Sequence, residues 1–97
     1  MANGQFPLHY SPGIPLRTNA KKPKKNEAFV LIKKRKKSFK NYYYLSKKNN
    51  LQQSAKNLYT LLRKIKKDGY KMIAVEKIQN KGIGKTINDR LNRASKY

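Results

Sequence analysis

Gly84-Lys85-Thr86 is the part of this 97-residue chain closest in type and spacing to a phosphate-handling device. In a phosphate loop, a glycine five positions earlier lets the backbone wrap its amides around the anion. The lysine then reaches the outer phosphates and the hydroxyl meets magnesium. Position 79 is Gln79, so the pattern fails. What remains is a turn, Gly82-Ile83-Gly84, whose glycines supply backbone angles costly for other residues. A helix follows, because Ile83, Ile87, Leu91 and Ala94 recur at four, four and three residues. Its free amides and dipole also suit an anion. Asp89 and Arg90 are adjacent and splay apart on such a helix, which points them toward neighbouring loops and not toward joint chemistry.

Other catalytic constellations are poorly supplied. His9 is the single histidine, which excludes a histidine pair within the chain, and it reads as a surface or hydrogen-bonding residue before a general base. Four acidic residues offer no convincing carboxylate pair. The absence of cysteine excludes a disulfide framework, thiol chemistry and a cysteine-based zinc site. No catalytic residue and no metal ligand is assigned.

Binding chemistry is better represented. The net charge is +21, and Lys33 to Lys40 (K-K-R-K-K-S-F-K) carries six basic residues in eight. Lys33, Lys34, Arg35, Lys36 and Lys37 are therefore the candidate RNA contacts, since clustered cations release counterions from a phosphate backbone. Tyr42 and Tyr44 lie next to them. They share one face of a strand and Tyr43 takes the other, so at most one or two rings could stack on bases together. Core or edge packing of these rings is the competing assignment. Lysine, asparagine, isoleucine and tyrosine also share AT-rich codons, so the charge reads either as an RNA footprint or as a solvated surface swollen by genome bias.

The elements that must position these groups follow from periodicity. Glu27 to Ile32 (E-A-F-V-L-I) is a continuous apolar run of strand length, and Asn41 to Ser46 (N-Y-Y-Y-L-S) is a second strand of high aromatic β-propensity. Asn50 is an N-cap with Gln53 at the capping-box position. Leu51, Ala55, Leu58, Leu62 and Ile65 form a stripe, widened by Leu61, and Gly69 ends the helix. Met72 to Val75 is a short buried strand feeding the glycine turn. The predicted fold is α/β, a small layer structure of order β-β-α-β-α with a right-handed parallel crossover. Met1 to Ala20 reads as an irregular arm, because Pro7, Pro12 and Pro15 block helix and disfavour a central strand. With the basic linker after it, residues 1–26 form the arm and 27–97 the domain. Leu, Ile, Val and Phe number 21 of 97, near the lower limit for a folded charged chain. No apolar run suits a signal peptide or a membrane span, so a cytoplasmic protein is expected.

The run from Ser54 to Val75 (S-A-K-N-L-Y-T-L-L-R-K-I-K-K-D-G-Y-K-M-I-A-V) and Gly82 to Ala94 (G-I-G-K-T-I-N-D-R-L-N-R-A) resembles the C-terminal domain of the longer threonylcarbamoyl-AMP synthases. His9-Tyr10-Ser11-Pro12 resembles the H-Y-[AS]-P element of their interdomain linker. Pro15 to Ala20 (P-L-R-T-N-A) resembles the P-L-R-L-N-A that follows it in some members. Tyr59 and Lys66 replace the usual Phe and Asp, and the P-G-M segment expected before the H-Y element is not recognisable. The resemblance implies a Rossmann-like accessory domain whose linker covers the active site of a YrdC-type catalytic domain, where ATP, threonine and bicarbonate give threonylcarbamoyl-adenylate for tRNA modification. None of that domain's segments lies in these 97 residues.

The resemblance thus implies a regulatory module, non-catalytic by itself, with His9, Tyr10, Pro12 and Arg17 as the active-site cover. Gly82, Gly84, Asp89, Arg90 and Leu91 form the family-signature turn and helix. No cofactor is expected on this chain alone, and ATP is implied for the complete synthase. The expected partner is the YrdC-type domain, with tRNA or another RNA as an alternative and no membrane. A basic RNA-binding module and a folded gene remnant are the competing assignments.

Overall fold

A computed structural model describes residues 13–46 and 50–95 of the chain. Strand β1 is Leu16–Ala20, β2 Ala28–Leu31 and β3 Tyr42–Tyr44; helix α1 (Leu51–Lys67), strand β4 (Ile73–Glu76) and helix α2 (Ile83–Ala94) follow. The strands form one sheet in the order β1-β4-β2-β3, and each neighbouring pair is parallel. The α/β expectation holds with one strand more than predicted.

The additional strand is β1, so the arm assigned to residues 1–20 is corrected over its last five. Proline argued against a strand, but Pro15 lies just ahead of β1 and has no ladder N–H to lose there. Its carbonyl instead accepts from the Ile73 N–H at 2.9 Å. Ile14 and Leu16 are core residues. The predicted boundary between residues 26 and 27 accordingly falls between two strands of one sheet.

Alternation along the strands sorts the core into two faces. Leu16, Ala28, Val30, Ile73 and Val75 meet Leu58, Leu62 and Ile65 of α1 and Ile87, Leu91 and Ala94 of α2. Both helices therefore cover the same face. Phe29, Leu31 and Ala74 form the core of the opposite face with Ala20. Ala20 reaches that side through a bulge: three steps from Arg17 to Ala20 match two from Ala74 to Glu76. The extra residue reverses the side-chain parity, and Asn19 takes φ 58°, a conformation Asn tolerates better than most residues.

Helix ends follow the local sequence. Asn50 Oδ1 accepts from the Gln53 N–H at 3.1 Å. The return bond of the expected capping box is relayed: Ser46 Oγ donates to Gln53 Oε1 at 2.9 Å and accepts from the Asn50 N–H at 3.0 Å. At the other end Gly69, with φ 98°, follows the C-cap Asp68. Its N–H donates to Lys66 O and the Tyr70 N–H to Ile65 O, the paired bonds of a Schellman ending.

Arg17 and Glu27 tie together β1 and the foot of β2, which are separated by β4. Arg17 donates through Nε and Nη2 to the two carboxylate oxygens, both at 2.9 Å, and the Lys24 N–H adds a bond at 2.7 Å. The Glu27 side chain is 3% exposed, that of Arg17 39%. The Arg17 hydrogen bonds hold the Glu27 carboxyl below its usual value, outweighing its burial. Glu27 therefore stabilises the fold fully above its unfolded pKa of about 4.3, and that contribution is lost as pH falls through the lower folded value. Arg17→Ala is expected to cost about 1–3 kcal/mol at pH 7 by leaving a buried acceptor under-satisfied, a figure kept below that for a fully buried pair because the guanidinium is partly solvated. Calorimetric Tm values should drop by roughly 5–20 °C, and the difference from wild type should shrink as pH is lowered from 6 to 3.

Candidate functional site

The glycine turn is built for close packing. Gly82, at φ 52° and ψ −128°, is the N-cap of α2 and carries no side-chain cap. A Cβ on Gly84 would overlap the carbonyl oxygen of Gln79, so only glycine lets the preceding loop pass. The Gly84 N–H donates to Lys81 O at 2.9 Å and the Lys85 N–H to Gly82 O at 3.1 Å. These amides close the turn on itself instead of opening toward an anion, while Lys85 and Thr86 are exposed.

The helix after the turn is fastened by its polar residues. Asn88 Nδ2 donates to Ile78 O at 2.9 Å, holding the loop between β4 and α2. Arg90 Nη1 donates to Ala55 O at 3.1 Å, so it bonds to α1 and not to a loop as expected. Leu91 is fully buried, whereas Asp89 is exposed. The signature residues thus mainly lock α2 onto the sheet and onto α1.

The carboxyl ends of the parallel strands carry the more open chemistry, at the edge where such sheets commonly place ligands. A cleft of about 470 Å³ there is lined by Ile32, Leu51 and Ile78 and by the cations Lys33, Lys77 and Lys81. Glu76, the last residue of β4, borders it. Its Oε2 accepts from the Ile32 N–H at 2.7 Å and its Oε1 from Arg35 Nη2 at 3.2 Å. One carboxylate therefore neutralises Arg35 and fixes the start of the basic loop. A second cleft of about 290 Å³ lies beside it, between Asn19, Asn80, Asn88 and Lys77.

The candidate RNA contacts fall on the loop joining β2 to β3. Lys33, Lys34, Arg35, Lys36 and Lys37 are exposed, with the Arg35 guanidinium 5.3 Å from the centre of the Phe29 ring. The loop therefore crosses the helix-free face. Tyr42 and Tyr44 pack on that face, as alternation required, and Tyr43 packs on the other. Tyr42 sits edge-to-face with Phe29 at 5.4 Å and with Phe39 at 5.2 Å. Tyr44 donates its hydroxyl to Ser38 Oγ at 2.7 Å. Tyr43 donates to Asp68 Oδ2 at 2.6 Å. Burial, then that bond, raises the Tyr43 phenol, and the same bond lowers the Asp68 carboxyl. The tyrosine rings are engaged in packing, and the exposed ring of this region is Phe39, 57% accessible.

Of the proposed cover, His9, Tyr10 and Pro12 lie outside the described residues, and Arg17 is in β1 with Glu27 as its partner. Sequence reasoning missed Phe39, Glu76, Lys77 and Lys81. Glu76 carried one usable signal, as one of four acids placed directly after an apolar strand.

The family model described as the threonylcarbamoyl-AMP synthase C-terminal domain matches residues 1–96. The chain belongs to that family. Among solved structures, the chain is similar to P. abyssi Sua5 complexed with L-threonine, with a TM-score of 0.66 and 22% sequence identity. That likeness, which is one of fold, covers 92% of this chain and 30% of the P. abyssi chain. No curated protein sequence matches. Because a Cβ on Gly84 would meet the Gln79 carbonyl, Gly84→Ala should lower the stability of this synthase C-terminal domain by about 1–3 kcal/mol through overpacking. Gly69→Ala meets no neighbouring atom and should cost about 1 kcal/mol through its positive φ alone. Thermal melts should therefore rank Gly84→Ala below Gly69→Ala, and Gly69→Asn should recover most of the loss while Gly84→Asn should not.

Proposed function

We propose that this domain acts as a regulatory, non-catalytic module beside a YrdC-type catalytic domain, carried on the same or a separate chain, in making threonylcarbamoyl-adenylate for tRNA modification. The observation that carries this is the reach of the family match over residues 1–96, which takes in the H-Y-S-P element as well as the described residues. Strand β1 supports it. It lies at the edge of the sheet, its first residue pairs with Ile73, and Arg17 secures it through Glu27. A segment preceding such a strand starts from a fixed point, which reduces the ordering cost of docking on a partner.

In this role Tyr10 contacts the nucleotide site of the catalytic domain, and His9 and Pro12 shape the covering segment. Arg17 contributes indirectly, by holding the strand from which the segment departs. ATP is bound by the catalytic domain. Calorimetric titration of this chain into a YrdC-type domain is expected to show binding that strengthens when ATP is present. Tyr10→Ala should weaken it by roughly tenfold, as for an interface tyrosine anchor, with Tm unchanged. Binding that is indifferent to removal of residues 1–12, or no binding at moderate salt, would overturn the proposal.

A further inference from the structure

Phe39 has an unusual setting. The residue is 57% exposed, yet it is held: the Phe39 carbonyl accepts from the Tyr42 N–H at 3.0 Å, and the two rings stand edge-to-face at 69°. Tyr42 in turn packs edge-on against Phe29, which is fully buried. Three rings thus run from the core to the surface, and Phe39 is the outer one. Around it the loop presents Lys36, Lys37 and Lys40 within three positions, all exposed. The loop is anchored through Arg35 to Glu76 and through Ser38 to the Tyr44 hydroxyl.

We infer that this loop is a binding surface for single-stranded nucleic acid, with Phe39 stacking on one unpaired base and Lys36, Lys37 and Lys40 meeting the flanking phosphates. A base offers a flat π-face that an aromatic ring can stack on, and its phosphates are the counter-charge that a lysine-ringed ring demands. A protein partner fits worse, since the centres of protein interfaces are depleted in lysine, whose ammonium would have to be desolvated. A duplex also fits worse, because its base faces are hidden in the stack. The loop's tethering keeps Phe39 in place before the ligand arrives, so little ordering is required. The residues assigned to this surface, Lys36, Lys37, Phe39 and Lys40, include none of those assigned to the docking role.

The chain contains no tryptophan, so Phe39→Trp makes a single-site reporter that keeps the stacking surface. Its emission should be quenched by an unstructured 12-nucleotide RNA, and by DNA of the same sequence where base and phosphate alone are recognised, but not by polyphosphate. Phe39→Ala, whose Tm should stay near wild type because the ring is exposed, should raise the apparent Kd for the RNA about five- to a hundredfold at fixed salt. The slope of log K against log salt should be unchanged in that variant. The double variant Lys36→Gln, Lys37→Gln should instead flatten the slope by about 1.4, at roughly 0.7 per phosphate on a single strand. Wild-type affinity in Phe39→Ala, or tryptophan emission unmoved by bound RNA, would overturn the inference. Competition by duplex RNA or polyglutamate as strong as by the single strand would also overturn it, leaving charge alone or an acidic protein as the ligand.

Discussion

The structure depends on one four-residue strand being inserted between two strands made long before it. Strand β4 hydrogen-bonds to β1 on one side and β2 on the other, and Leu16 pairs with Ile73 across most of the chain. Until β4 arrives, β1 has no ladder partner and the Arg17–Glu27 pair has no sheet to span. Such long-range pairings close large loops before any contact rewards them, which makes the sheet a cooperative unit. The same insertion brings Glu76 to the carboxyl edge, where it receives Ile32 and Arg35 and so sets the course of the basic loop.

A parallel sheet ordinarily hides both faces under helices. Here both helices lie on one face, and the other is covered by the aromatic side chains of β2 and β3 and by the loop between them. That loop spans Ile32 to Asn41 and contains no helix. Its lysines thus serve two ends at once. Their backbone provides the crossover and the lid over Phe29, while their charged tips must face water. A cationic surface over an aromatic underlay is the physical outcome of closing this sheet with a short polar connection.

The few acids sharpen that outcome. Glu27, Asp68 and Glu76 are three of the four in the chain, and each is committed to a tie: Glu27 to Arg17, Asp68 to Tyr43 and Lys64, Glu76 to Arg35. Structural pairing therefore consumes the negative charge and leaves a strongly positive field outside. Membership of the threonylcarbamoyl-AMP synthase C-terminal domain family gives the fold its context. The basic loop and the edge strand are two separate surfaces, one strongly cationic and the other leading into the segment that precedes it.

The periodic features of the sequence determined most of the elements. The stripe of α1, its Asn50 cap and Gly69 ending, the apolar runs of β2 and β4, and the glycine turn before α2 all appear where period and local chemistry placed them, because each is decided by neighbours within a few residues. The split of Tyr42 and Tyr44 from Tyr43 was equally legible, since strand alternation is local. Strand β1 was not. Its prolines argued against it, and its stability comes from a partner almost sixty residues away. The functional assignment of rings and cations had the same limit. Sequence spacing could place an aromatic cluster beside a lysine run, but only the tertiary structure decided that Tyr42 and Tyr44 turn inward while Phe39 remains exposed, because exposure depends on what the rest of the chain packs against each ring.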